Sequence, residues 1–149
     1  MLSSSSMKPI VQEDHTGCGL ANVATLAGVS YQQVKRVAGQ IDIDVQDPQL
    51  WSDTKYVRTL LTHYGLSTSP HKRPFKSWDS LPSLALLAIK WHKRNVRAFW
   101  HWVVFWRGPE GPVVLDPKQS LQKHVRTDFG RMKPKWFLTV TIPQSNKIA

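Results

Sequence analysis

The chain of 149 residues contains a single cysteine, Cys18, which stands between two glycines in the segment Thr16-Gly17-Cys18-Gly19. An apolar stripe with helical spacing follows directly, so we predict that Cys18 lies in the first turn of a helix. The unpaired N–H groups and dipole of a helix start favour a thiolate, the nucleophilic form of cysteine. The flanking glycines should allow a tight entry and leave space for a substrate backbone. The alternative is a small buried side chain without chemistry.

A nucleophilic cysteine needs a base, and the first candidate is His101. It stands within residues 98–106, whose aromatic and β-branched composition is typical of a central strand. Alternation along a strand places His101 on one face with Phe99, Val103 and Phe105. A histidine among apolar neighbours must be hydrogen-bonded there or serve a function.

The hairpin that follows supplies a partner for His101. If residues 107–111 form its turn, His101 lies opposite Pro117, and a one-residue bulge would align it with Asp116 instead. Cross-strand neighbours have Cβ atoms roughly 5 Å apart, within reach of a carboxylate–imidazole hydrogen bond. Asp116 is therefore a candidate to orient the base. The alternative is a turn residue that ends a strand.

Gln12 precedes Cys18 on an extended segment. Its side-chain amide could donate, together with the backbone N–H of Cys18, to the negative oxygen that forms when a carbonyl is attacked. A solvated polar residue is the alternative for Gln12. His15 and His124 are the alternative bases.

Helical patterns dominate the first half of the chain. The first helix starts at Cys18 and stops at Gly28, the second runs through Ala38 behind a Ser30/Gln33 capping box, and the third follows Ser52 as N-cap and ends at Gly65.

Strand patterns dominate the second half. Residues 66–83 read as a loop, and strands are predicted over residues 84–89, 98–106, 112–116 and 136–142. A short buried helix is the alternative for residues 84–89, and residues 93–95 are predicted as a turn. Helices followed by an antiparallel sheet predict an α+β fold. We predict one domain over residues 8–143, after a disordered leader (1–7) and before a tail (144–149).

Together these residues resemble the papain-like cysteine peptidases of the bacteriocin-processing, double-glycine-leader type. Four pieces carry the resemblance in order and spacing: Gln12, residues 14–21 (DHTGCGLA), residues 101–104 (HWVV) and residues 114–117 (VLDP). The resemblance implies a papain-like fold in which N-terminal helices carry the cysteine and a C-terminal sheet carries His and Asp. It also implies roles: Cys18 as nucleophile, His101 as general base and acid, Asp116 as orienting carboxylate and Gln12 as oxyanion donor.

The predicted function is hydrolysis of a peptide or isopeptide bond through an acyl-thioester, which makes the expected partner a protein or peptide substrate. Deamidation and transamidation share that intermediate and remain open. No paired ligand spacing occurs among the six histidines, and one cysteine excludes both an internal disulfide and a Cys-rich zinc module. We expect neither a metal nor a cofactor.

The net charge of +10 is unevenly distributed. Residues 1–70 carry five Lys/Arg and six Asp/Glu, a net of −1, while residues 71–149 carry fifteen and four, a net of +11. The basic half suggests an acidic substrate. Its interleaved cations and tryptophans also raise the alternative of a nucleic-acid-binding module, but Trp100, Trp102 and Trp106 share one strand face, which is more typical of a core.

The longest apolar run in the middle of the chain, residues 84–89, is far shorter than the roughly 20 residues of a membrane-spanning helix. The start of the chain lacks the apolar core of a signal peptide. We therefore expect a protein without a membrane span, either cytoplasmic or exported without a cleavable signal peptide.

Overall fold

The computed structural model describes residues 7–143, which form three α-helices followed by an antiparallel sheet. The helices are α1 (Cys18–Ala27), α2 (Tyr31–Gln40) and α3 (Lys55–His63). The strands are β1 (Ser67–Thr68), β2 (Arg73–Pro74), β3 (Leu84–Arg94), β4 (Arg97–Gly108), β5 (Gly111–Leu115), β6 (Val125–Arg126) and β7 (Pro134–Thr141). The predicted α+β class is confirmed. Met7 is buried in the core, whereas the rest of the predicted leader and the predicted tail lie outside the described residues.

Helix α1 begins and ends where its sequence predicts. It starts at Cys18 and stops at Gly28, whose φ of 72° is the left-handed conformation that glycine adopts without strain. Nine of its ten residues are buried, because α2, α3 and β4 all pack against it. The helix start that carries Cys18 is thus fixed from several sides.

The other two helices match their predictions in part. The Ser30/Gln33 capping box of α2 is present, although the helix continues past Ala38 to Gln40. The prediction that Ser52 is the N-cap of α3 is wrong, because α3 starts at Lys55 and its N-cap is Thr54. Asp47 and Pro48 start a separate 3-10 turn, Pro48–Ser52, in which the Asp47 side chain accepts a hydrogen bond from the backbone of Gln49.

Strand β7 lies between β3 and the short strands β1 and β2; the order of the sheet is β1-β7-β3-β4-β5-β6, with β2 also pairing with β7. The predicted loop over residues 66–83 therefore contains two short strands. Strands β3 and β4 extend beyond their predicted ends into an exposed hairpin that turns at Asn95 and Val96. The residues predicted as a turn at 93–95 are mostly strand.

The two faces of the sheet are covered differently. One face packs against the helices through side chains such as Leu86, Val104 and Leu138. The other packs through side chains such as Leu87 and Phe105 against the connecting segments around Trp78 and Phe129. No helix within residues 7–143 is long and apolar enough to cross a membrane.

Candidate active site

Cys18 is the first residue of α1, with Gly17 as its N-cap, and its side chain is buried, 5% exposed. No side chain caps this helix start, so the first N–H groups of α1 remain available near the sulfur. The predicted position of Cys18 is confirmed.

The glycines on either side of Cys18 leave room for two tyrosine side chains. A Cβ atom at Gly17 would overlap with the hydroxyl oxygen of Tyr31, and one at Gly19 would overlap with that of Tyr56. Tyr31 and Tyr56 belong to the first turns of α2 and α3. The glycines therefore serve close contacts with these tyrosines, and the approach of a substrate backbone to them stays a prediction.

His101 lies on β4, beyond the last residue pair that joins β4 to β5. Its Nε2 is 2.7 Å from Asp116 Oδ1, which leaves Nδ1 as the ring nitrogen for the thiol of Cys18. Burial lowers the pKa of His101, but the hydrogen bonds and charges of Asp116 and Cys18 outweigh burial and raise the pKa to about 9. His101 thus holds a proton at neutral pH in this arrangement.

Asp116 is 1% exposed and its carboxylate has three donors. Oδ1 accepts from His101 and from the backbone N–H of Lys118 at 3.1 Å, and Oδ2 accepts from Arg126 Nη1 at 2.7 Å. Burial alone would raise the pKa of Asp116, but the hydrogen bonds and charges of His101 and Arg126 lower it to about 2. The carboxylate is ionised across the physiological range.

Asp116 reaches His101 by a different register from the predicted one. The turn between β4 and β5 consists of Pro109 and Glu110 alone, so Val104 pairs with Leu115 without a bulge. The predicted opposition of His101 and Pro117 and the predicted bulge are wrong. Continued by one residue, the observed register places residue 116 beside residue 103, on the same face as His101 and diagonal to it.

Arg126 is the member of the site that the sequence did not reveal. It lies on β6 and bridges Asp116 to Asp128, to which its Nε and Nη2 donate at 2.9 and 2.7 Å. No spacing rule connects residue 126 with residue 116, since the contact depends on the two-residue strand β6 pairing with β5. Among fifteen Lys/Arg in the basic half, nothing in the sequence distinguishes Arg126.

Gln12 is buried and lines the same pocket as Cys18 and His101. Its Nε2 donates to the backbone carbonyl oxygens of Asp14 and His15 at 3.0 and 3.1 Å, which fixes the amide group. The backbone N–H of Gln12 donates to the carbonyl oxygen of Pro117 at 2.9 Å. This bond joins the segment before α1 to the loop that follows Asp116.

The two alternative bases occupy other positions. His124 Nδ1 lies 2.8 Å from the backbone carbonyl oxygen of Asp116. In addition, the backbone N–H of Asp116 donates to the backbone carbonyl oxygen of His124 at 2.8 Å. His124 therefore supports the Asp116 loop. His15 lines the pocket, but the nitrogen bonded to Asp116 belongs to His101.

A pocket of about 620 Å³ opens over Cys18 and His101. Its walls combine aromatic rings with basic side chains; the lining residues are Gln12, His15, Cys18, Lys90, His92, Arg94, Phe99, Trp100, His101, Lys118, Gln119 and Ser120. Among the described residues that line it, none is Asp or Glu.

The tryptophan stripe of β4 belongs to the core. Trp100 and Trp102 are buried, and both pack edge-to-face on Trp136 of β7, with ring centroids 4.8 and 5.2 Å apart. Trp106 is partly buried against the same cluster. Rings packed in this way do not form the open stacking surface that the nucleic-acid alternative requires.

Comparison with known proteins rests on structure. No family model matches the sequence, and no curated protein matches it. A double glycine motif protease from an AMS/PCAT transporter, solved in complex with its leader peptide, is similar to this chain with a TM-score of 0.53 and 18% identity over 91% of each chain. The resemblance inferred from the sequence is thus confirmed at the level of the fold: helices that carry Cys18, packed on an antiparallel sheet that carries His101 and leads to Asp116.

Proposed function

We propose that this protein is a cysteine peptidase that hydrolyses peptide bonds with Cys18, His101 and Asp116. The observation that carries the proposal is the chain of contacts from the helix start to the buried carboxylate. His101 interacts with Cys18 on one side and, through Nε2, with Asp116 at 2.7 Å on the other. A cysteine kept only for packing has no need of a protonated, carboxylate-bound imidazole beside it.

The reaction follows from this arrangement. The His101 imidazolium stabilises the Cys18 thiolate, which attacks the carbonyl carbon of the scissile bond. The backbone N–H of Cys18 and one N–H of Gln12 stabilise the oxyanion, and for Gln12 this requires release of one of its two contacts with backbone carbonyls. His101 then gives its proton to the leaving amine, and as a neutral base it activates the water that hydrolyses the thioester.

The substrate we propose is a peptide segment in extended conformation. The similar protease was solved with a leader peptide bound, and the pocket over Cys18 has one apolar wall formed by Phe99 and Trp100. Cleavage after a pair of glycines is the first specificity to examine, because it is the motif of the similar protease.

The decisive experiment uses the fact that Cys18 is the only cysteine, so alkylation of the intact protein reports on it alone. A buried thiol without activation reacts with iodoacetamide more slowly in the native protein than in the unfolded one. We expect the reverse here: faster alkylation in the native state at pH 7, measured by intact mass, and slower alkylation in His101→Ala. The exposed His63 offers a matched control, His63→Ala, which should react as the wild type does.

Turnover is measured by mass spectrometry on a peptide mixture that includes double-glycine sequences. We expect cleavage by the wild type and a loss of at least about 10⁴-fold in Cys18→Ala. Conversion of glutamine to glutamate without chain cleavage would replace the peptidase proposal with a deamidase. Native alkylation slower than in urea, together with absence of any Cys18-dependent product, would overturn both.

A further inference from the structure

The strand next to His101 is irregular at one point. Along β3 and β4, Ile89 pairs with His101 and His92 pairs with Phe99, so two residues of β3, Lys90 and Trp91, face the single residue Trp100. This is a β-bulge, and Lys90 adopts φ 56° within it. A lysine in the left-handed region costs of the order of 1 kcal/mol relative to glycine. The strained residue stands directly beside the pair that contains the proposed base.

Lys90, within the bulge, lines the pocket together with a second lysine. Lys90 and Lys118 both line the pocket, and both are exposed. Burial and then the positive charge of Lys118 lower the pKa of Lys90. The backbone of Lys118 is fixed by its N–H, which donates to Asp116 Oδ1. Two lysine side chains thus line the same pocket, and the backbone of one of them is fixed by the carboxylate that binds His101.

Within residues 7–143, no carboxylate of the pocket is available to neutralise this pair. The negative charge of Asp116 raises the pKa of Lys90, whereas the charge of Lys118 lowers it. Asp116, however, already pairs with His101 and Arg126. Arg94, at the end of β3, adds a third positive charge to the lining of the same pocket. Like charges gathered without a counterion destabilise the free protein and favour the binding of an anion.

We propose that Lys90 and Lys118 bind an acidic side chain of the substrate peptide, so that cleavage is favoured where Asp or Glu stands within a few residues of the scissile bond. This inference rests on the proposed peptidase function and names its substrate class. Lys90 is suited to this role by its place, since it directly follows Ile89, the residue that pairs with His101. Arg94 extends the positive surface toward the hairpin tip for a further acidic residue.

Binding to the Cys18→Ala protein tests the inference without any need for turnover. The probes are a fluorescein-labelled hexapeptide rich in Glu and its counterpart with Gln at the same positions, followed by fluorescence anisotropy. We expect the Glu peptide to bind about tenfold more tightly, and Lys90→Gln or Lys118→Gln to reduce that preference by about fivefold each. The preference should weaken as salt rises. Lys55→Gln removes one charge from the exposed surface of α3 and is the matched control, with an unchanged preference.

The outcomes separate this inference from the peptidase proposal. Equal binding of the two peptides, or an equal loss in Lys55→Gln, would overturn the acidic-substrate inference even if the wild type cleaves peptides. A single-stranded oligonucleotide of equal charge that displaces the Glu peptide at lower concentration would overturn it in favour of a nucleic-acid site. If the wild type cleaves, Lys90→Gln should raise KM for acidic peptides about fivefold and leave kcat within about twofold.

Discussion

The two sides of the proposed site are held in place by different forces. On the helix side, Cys18 is positioned by close packing: the rings of Tyr31 and Tyr56 occupy the space where side chains at Gly17 and Gly19 would be. On the sheet side, His101 is positioned by charge, through the buried Asp116 and its contact with Arg126. The difference implies that substitutions on the helix side should act through stability and geometry, whereas those on the sheet side should change the pH dependence.

We expect the largest effect on kcat/KM for Asp116→Asn, which tests the role of charge on the sheet side. The leaving amine needs the proton of His101, so kcat/KM of the wild type should fall as pH rises through about 9. Asparagine keeps the shape but removes the negative charge that favours the imidazolium. We expect kcat/KM at pH 7 to fall by about 10²- to 10⁴-fold and the alkaline limb to move to lower pH.

An unchanged alkaline limb in the pH–rate profile of Asp116→Asn would contradict the role of Asp116. Asp128→Asn is the control, because Asp128 contacts Arg126 and not His101.

On the helix side the informative change is Gly17→Ala. The new methyl group overlaps with the Tyr31 hydroxyl, so we expect the free energy of unfolding to fall by about 1–3 kcal/mol and activity to fall with it. Tyr31→Phe should restore part of that loss, since the nearest remaining ring atom would lie 3.0 Å away. Urea unfolding of the single and double variants measures this as a coupling energy.

The matched control for Gly17→Ala is Gly39→Ala in the same protein. A Cβ atom at Gly39 would meet nothing within 4 Å, and Gly39 lies inside α2, so this variant should be more stable by roughly 0.4–1 kcal/mol. Equal destabilisation at positions 17 and 39 would show that glycine flexibility, and not packing against Tyr31, is what matters. Neither variant should move the pH profile.

The smallest effect is expected for Arg126→Gln. Asp116 keeps His101 and the backbone of Lys118 as partners, so kcat/KM should fall by less than about tenfold. Removal of a cation near the pair favours the imidazolium, so the alkaline limb should move to higher pH, opposite to Asp116→Asn. A shift in the same direction for both variants would refute an electrostatic role for Arg126.

Local signals in the sequence predicted the helix side better than the sheet side. The start of α1 at Cys18, its stop at Gly28 and the Ser30 capping box follow from nearest neighbours along the chain, and all three are present. Ser52 failed as an N-cap because Asp47 and Pro48 start a 3-10 turn of their own, a competition between equally plausible local signals.

The sheet side depends on register and on contacts between distant residues. The predicted register of β4 and β5 was wrong by one residue, which changed the residue expected opposite His101. Asp116 still reaches His101, because the two lie diagonally across the strand pair. Two features form only when strands β3 to β6 pair: the bulge at Lys90 and the contact of Arg126 with Asp116. No periodic pattern in the sequence predicts either of them. The hairpin pattern made Asp116 the candidate partner of His101, and the resemblance of four segments, in the same order and spacing, implied that both act with Cys18.

The hydrogen bond from the backbone of Gln12 to that of Pro117 has a consequence for how the protein matures. During synthesis Cys18 is made before His101 and Asp116, so the early nascent chain carries its thiol without the proposed base. The bond joins segments near opposite ends of the domain, and closing so long a loop carries an entropic cost that the folded sheet must first offset. Under the proposed function, the reactivity of Cys18 therefore arises only after the segment through Pro117 has been made and has folded.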